Sequence, residues 1–102
     1  MFIIIVTTFP EKDNARKLSK QLLEARLVAC AQIGGSILSI YNWQDKIQQS
    51  KEYLLTLKTR KSHYKKVENL ILKHHPYDNP EILAIDVQQG SKRYLDWIQH
   101  LT

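Results

Sequence analysis

At 102 residues the chain is one domain, 1–102, whose core buries roughly two thirds of the unfolded surface. Hydrophobic content of 43% and charged content of 25% are ordinary for a globular protein, and the longest apolar run, Phe2 to Val6, is far too short to cross a bilayer. Cys30 is the only cysteine, which excludes an internal disulfide; with no signal-peptide pattern, the expectation is a cytoplasmic protein with no membrane partner.

Met1 to Thr8 is β-branched and apolar with almost no alternation, as in a central strand covered on both faces, and Pro10 ends it. Glu11 to Leu27 repeats apolar residues at Ala15, Leu18, Leu22 and Ala25, which is helical spacing. Glu11 and Asp13 in its first turn and Arg26 in its last suit the helix dipole. Val28 to Trp43 reads as a second strand, with a bulge or bend at Gly34-Gly35, and Trp43-Gln44-Asp45-Lys46 as a tight connection. Ile47 to Thr59 is a third strand: Tyr53, Leu55 and Leu57 face one way, Glu52, Leu54, Thr56 and Lys58 the other. Ser62 is placed to cap a second helix with Tyr64, Val67, Leu70, Ile71 and His74 inward. Ile82 to Val87 is a fourth strand, and Gly90-Ser91 leads into a helix carrying Tyr94, Leu95, Trp97, Ile98 and Leu101.

The order β-α-β-β-α-β plus a terminal helix is the α+β, ferredoxin-like pattern. Strands two and three span 13 to 16 residues, on the order of 45 Å at about 3.3 Å per residue. A compact domain of this size has a radius of gyration near ~13 Å. The hairpin should overhang its own core, and its edges need a partner. A homo-oligomer in which the hairpin reaches a neighbour is the expectation.

Between the second helix and the fourth strand lies the densest chemistry: His74-His75-Pro76-Tyr77-Asp78-Asn79-Pro80-Glu81-Ile82. Each proline fixes its own φ and pushes the residue before it toward extended backbone, so the helix stops near His74 and the polar groups sit on a short, stiff connector.

Several pieces in order resemble the CutA family, the divalent-cation tolerance proteins: Thr7-Thr8, Ala15-Arg16, Arg26-Leu27-Val28-Ala29-Cys30, Ser39-Ile40-Tyr41-Asn42-Trp43, Glu52 with Lys58-Thr59, His75-Pro76-Tyr77 with Pro80-Glu81-Ile82, and Tyr94-Leu95-Asp96-Trp97. They cover nearly the whole chain. The resemblance implies a ferredoxin-like protomer in a tight homotrimer, held by long hairpins and edge strands. It implies a cytoplasmic protein linked to copper and other divalent metals, similar in shape to the trimeric PII signalling proteins, which bind small ligands between subunits. The family's copper site pairs two consecutive histidines, matched by His74 and His75, with a cysteine at the end of strand one. Thr7 stands at that cysteine's position, so the soft thiolate that selects copper(I) is missing. After Trp43 the family's glycine is replaced by Asp45, which also tolerates a left-handed conformation.

His74 and His75 are the metal candidates, for Cu2+ or another divalent cation, with none obligatory. Imidazole suits such ions, but two ligands fall short of the usual three or four, so Asp78, Glu81 or another subunit would complete the site. The competing reading has His74 capping helix carbonyls and His75 bonded to backbone. Lys58, Glu52, Tyr77, Glu81, Trp43, Trp97 and Cys30 are candidates for an intersubunit cleft or for the trimer interface itself. Cys30, between Ala29 and Ala31, reads as structural. The basic residues Lys58, Arg60, Lys61, Lys65 and Lys66 read as solvated faces in preference to an anion site.

An RNA-recognition domain needs stacking aromatics on its third strand, and Glu52-Tyr53-Leu54-Leu55-Thr56-Leu57 lacks that pattern, so no nucleic acid is expected. A phosphate-cradling loop after strand one is contradicted by the acidic, proline-blocked Thr8-Phe9-Pro10-Glu11. No catalytic constellation is identifiable from spacing, and the chain is read as no enzyme. Two functions follow: a metal-responsive binding protein, or a PII-like sensor of a small molecule or anion.

Overall fold

The computed structural model describes residues 1–102. The chain runs β1 (Phe2–Phe9), α1 (Lys12–Glu24), β2 (Cys30–Ile33), β3 (Ile37–Trp43), β4 (Lys46–Arg60), a 3-10 turn (Lys61–His63), α2 (Tyr64–His74), β5 (Leu83–Asp86) and α3 (Lys92–Leu101). All strand pairs are antiparallel, in the order β2-β4-β1-β5, with β3 also on β4. This is the expected α+β sandwich.

The strand expected from Val28 to Trp43 is divided into β2 and β3. Both pair with β4, and between the two ladders Gly34, Gly35 and Ser36 stand opposite only Tyr53 and Leu54. One extra residue on one strand is a bulge, so the double glycine bends the hairpin without reversing it. The hairpin closes through Gln44 and Asp45, both with positive φ, at 50° and 62°. Two left-handed residues give the twist a two-residue hairpin loop needs, and Asp45 fills the role without glycine. The molecule measures 45 × 26 × 23 Å, with a radius of gyration of 14.2 Å. Such elongation follows from β4, which is 15 residues long and of which Lys46 to Glu52 run past the end of β1.

The core lies between one sheet face and α1 and α2. Ile3, Ile5 and Phe9 of β1 and Leu55 and Leu57 of β4 pack against Ala15, Leu18 and Leu22 of α1 and Val67 and Ile71 of α2. The lack of alternation in β1 therefore misleads in part. Its odd-numbered residues are fully buried, while Phe2, Ile4 and Val6 on the other face are only half-buried. That second face is covered at one end by α3, where Lys58 meets Tyr94 and Arg60 bonds Thr102.

Helix ends depart from expectation. α1 stops at Glu24, leaving Ala25 exposed, and Arg26 takes φ 57° beyond the helix instead of ending its last turn. The Arg26 N–H donates to the Leu23 carbonyl and the Leu27 N–H to the Leu22 carbonyl, the two bonds of a Schellman end. Ser62 lies inside the 3-10 turn and does not cap α2, whose N-terminal flank is His63. His74, expected on the inner face of α2, is exposed.

Candidate functional site

The two histidines part company at the end of α2. The helix closes with the His75 N–H on the Ile71 carbonyl, and His75 itself is extended, with φ −76° and ψ 136°, as Pro76 demands. That turn carries the His75 ring inward. It is 9% exposed and lies flat on Phe9, with ring centres 4.3 Å apart and planes at 18°. The backbone N–H of Tyr77 donates to Nδ1 at 3.1 Å, so the neutral ring's proton sits on Nε2, which bonds the Thr8 carbonyl at 2.6 Å. Both ring nitrogens are thus used within the chain. Burial pushes the His75 pKa below its ordinary value, against smaller raising effects from the Thr8 carbonyl and Glu52. His74, one residue back, leaves its imidazole in solvent. No three His, Cys, Asp or Glu side chains of one protomer gather where they could hold a single ion.

Beside His75 stands Glu52, only 7% exposed. Its Oε2 accepts two hydroxyl donors, Tyr77 at 2.9 Å and Thr8 at 3.2 Å. Burial first, and the bond to Glu52 second, push the Tyr77 phenol up to about 12, so it stays a donor. β4 supplies the acid, β1 the threonine, and the 76–81 connector the phenol. They meet where β4 begins to leave the sandwich.

This cluster opens into a groove of about 1190 Å³ between the β3–β4 hairpin and the connector. Of the residues singled out from sequence, Glu52, Tyr77, Glu81 and Trp43 line it together. Lys58, Cys30 and Trp97 belong elsewhere. Cys30 pairs with Lys58, which pairs with Ile4, which pairs with Ile85, a row across the open sheet face. There Lys58 donates to the Tyr94 hydroxyl at 3.3 Å, and Tyr94 stacks on Trp97 with centres 5.4 Å apart. Within one chain Lys58 thus meets neither Glu52 nor Glu81. The basic cluster is dispersed as well: Arg60 and His63 hold the Thr102 carbonyl, Lys61 pairs with Asp86 at 3.6 Å, and Lys65 with Glu68 at 2.9 Å. Phe9 and Thr8 are parts of the site that residue type alone did not single out; their place beside Pro10 at the end of the central strand and, for Thr8, the family-matching Thr7-Thr8 pair were the signals.

Thr7 is fully buried in the helix-facing row of β1, and its Oγ1 has no hydrogen-bond partner. An orphaned hydroxyl costs about 1–3 kcal/mol. Thr7→Val, which keeps the shape and removes the hydroxyl, is expected to raise stability by about 1 kcal/mol, or roughly 4–8 °C in Tm. Thermal unfolding followed by circular dichroism checks this, and an unchanged or lower Tm would give the hydroxyl a bonding partner after all.

Fold and groove define the class: a ferredoxin-like sandwich with an overhanging hairpin and a polar groove at its base. The chain belongs to the CutA1 divalent ion tolerance family, which it matches over residues 3–101. It is 36% identical over 99 residues to the divalent-cation tolerance protein CutA of Thermus thermophilus, covering 97% of this chain and 96% of that one. It is 41% identical over 96 residues to CutA of Pyrococcus horikoshii, covering 94% and 93%. Against the chloroplastic CutA of Arabidopsis thaliana identity is 34% over 100 residues, and the chain spans 55% of that relative's length. Among solved structures, Thermus thermophilus Cut A1 superposes with a TM-score of 0.97 at 36% identity, covering 100% of this chain and 99% of that one. A periplasmic divalent cation tolerance protein CutA from Archaeoglobus fulgidus superposes at 0.96 with 35% identity, covering 99% and 98%. The resemblance read from the sequence motifs is thereby established, and with it the fold. One of these relatives is described as periplasmic and another as chloroplastic, and no helix of this chain is long and apolar enough to cross a membrane.

Proposed function

We propose that the chain serves divalent metal tolerance as a homotrimeric, non-catalytic binding protein of the cytoplasm, and that it holds Cu2+ or a similar ion weakly through the His74–His75 segment. The observation that carries this reading is membership of the divalent ion tolerance family over nearly the whole chain. Within the segment the exposed His74 is the accessible ligand, and His75, with both nitrogens bonded, fixes the backbone from which His74 projects. A single imidazole binds weakly, and further ligands come from a neighbouring copy or from solvent. Support for the trimer comes from the hairpin's exposed Leu38 and Ile47 and the edge strand's Leu83 and Ile85, none of which lines the groove.

The test is a calorimetric Cu2+ titration of the intact protein beside His74→Ala. Weak saturable binding that the variant loses is the expected result. Identical binding in both would remove His74 from the site.

A specific observation favours the second reading, a PII-like sensor: the groove beside Glu52, which lies next to the surface a trimer would bury. Its carboxylates, with no basic side chain among them, favour a cation over an anion there.

A further inference from the structure

We infer that the groove between the β3–β4 hairpin and the 76–81 connector binds a linear aliphatic polyamine. This deepens the sensor reading by naming a ligand class and is independent of metal binding at His74.

The chain carries a net charge of +5, yet this groove has no Lys, Arg or His in its lining. Its charged groups are Glu52, Asp78 and Glu81, and its aromatic walls are Tyr41, Trp43 and Tyr77. Glu52 is the decisive residue. A carboxylate on a residue only 7% exposed is costly unless a cation offsets it, and Glu52 has no ion-pair partner in the chain, only two neutral hydroxyls. Both of those bond Oε2. Oε1 accepts no hydrogen bond from the protein and is not sealed off among the buried unsatisfied atoms, so it remains available to a donor entering the groove.

The spacing of the acids selects among cations. A metal ion needs several ligands converging within about 2–2.6 Å of one point, and no three acidic or imidazole groups here converge. Spread charges match a ligand whose own charges are spread. In a polyamine, ammonium groups are separated by methylene runs. One ammonium bonds Oε1 of Glu52, another reaches Asp78 or Glu81, and the methylenes lie against Trp43 and Tyr41. Ammonium groups over aromatic faces add a cation–π attraction.

Spermidine is the probe, titrated calorimetrically into the intact protein at near-physiological salt, with Mg2+ at matched ionic strength as comparison. Saturable binding near one spermidine per chain and a raised Tm are expected. Glu52→Gln should weaken binding by about tenfold or more, since it removes a charge from a desolvated pair. Glu81→Gln, at an exposed position that leaves the fold intact, should weaken it several-fold, and His74→Ala should leave it unchanged. The proposal is overturned if spermidine gives neither saturable heat nor a Tm shift. It is equally overturned if both groove variants bind like the parent, or if Mg2+ reproduces the effect. Finally, it fails if Glu52→Gln and Glu81→Gln alter the mass in solution while spermidine stays unbound, which would assign the groove to a second copy. Each of these outcomes leaves Cu2+ binding at His74 to be judged by its own titration.

Discussion

Replacing His75 with alanine is expected to destabilise the protein by about 3 kcal/mol, while His74→Ala changes stability by less than about 0.5 kcal/mol. The two residues are adjacent and chemically identical, so the contrast isolates what the fold does with each. His75→Ala removes a ring stacked on Phe9 and leaves the Thr8 carbonyl and the Tyr77 N–H without their partners. Losing a buried aromatic costs about 3–5 kcal/mol in a core, and each buried polar group left unpaired adds about 1–3 kcal/mol unless water reaches it. His75 lies near the surface end of the core, which places the total at the lower end of that range. His74 has no such contacts. Chemical denaturation at one fixed protein concentration measures both, since assembly contributes to apparent stability. Equal effects would mean that the ring of His75 is not held as described.

The same geometry sets a pH dependence. Burial lowers the folded-state pKa of His75 below its ordinary 6.5. The unfolded chain therefore takes up this proton at a higher pH than the folded one does. Stability from this residue is complete above about 6.5, declines as pH falls through the interval below it, and levels off under the folded-state value. Relative to His75→Ala, the parent protein should lose stability as the pH is lowered from 7 toward that interval. A difference that stays flat, or that grows in the parent's favour, would contradict the buried neutral ring.

What the sequence revealed tracks the range of the interactions involved. Alternation in Tyr53, Leu55 and Leu57 located β4 and its buried face, because period-2 burial is local information. Gly34-Gly35 announced the bulge, since few other pairs relieve a strand so cheaply. Helix ends were less legible. The α1 terminus depends on Arg26 adopting a left-handed conformation usually left to glycine, and the Ser62 hydroxyl was displaced from its capping role by the 3-10 turn. The site was visible as a set of residue types and invisible as an arrangement. Glu52 and Tyr77 are 25 positions apart, and Glu52 and Thr8 are 44 apart. Nothing in spacing says that they share an oxygen, or that Lys58, six residues from Glu52, turns to Tyr94 instead. His74, placed inward by the helical period, ends α2 exposed, while Pro76 holds His75 extended and His75 takes the inward position.

The largest change is expected at the open sheet edge. β5 pairs with β1 alone, so its other side offers unpaired backbone groups. Natural proteins protect such an edge with charge, proline or cover. β5 is short, but its outer face carries Leu83 and Ile85, 58% and 56% exposed. These stand opposite Val6 and Ile4, themselves only half-buried, so the apolar surface continues across the sheet. In the proposed trimer this edge is the interface. Lysine at both positions, Leu83→Lys with Ile85→Lys, puts two charges where the assembly must desolvate them while leaving the helix-facing core untouched. The parent protein is expected to show three times the 12.0 kDa chain mass by light scattering, and the double variant a single chain mass with a lower Tm. Leu72→Lys, on an exposed position of α2 away from the sheet, should leave the mass unchanged. A double variant that remains trimeric would move the contact off β5. A parent that is monomeric would remove the reason for both the overhanging hairpin and the apolar edge.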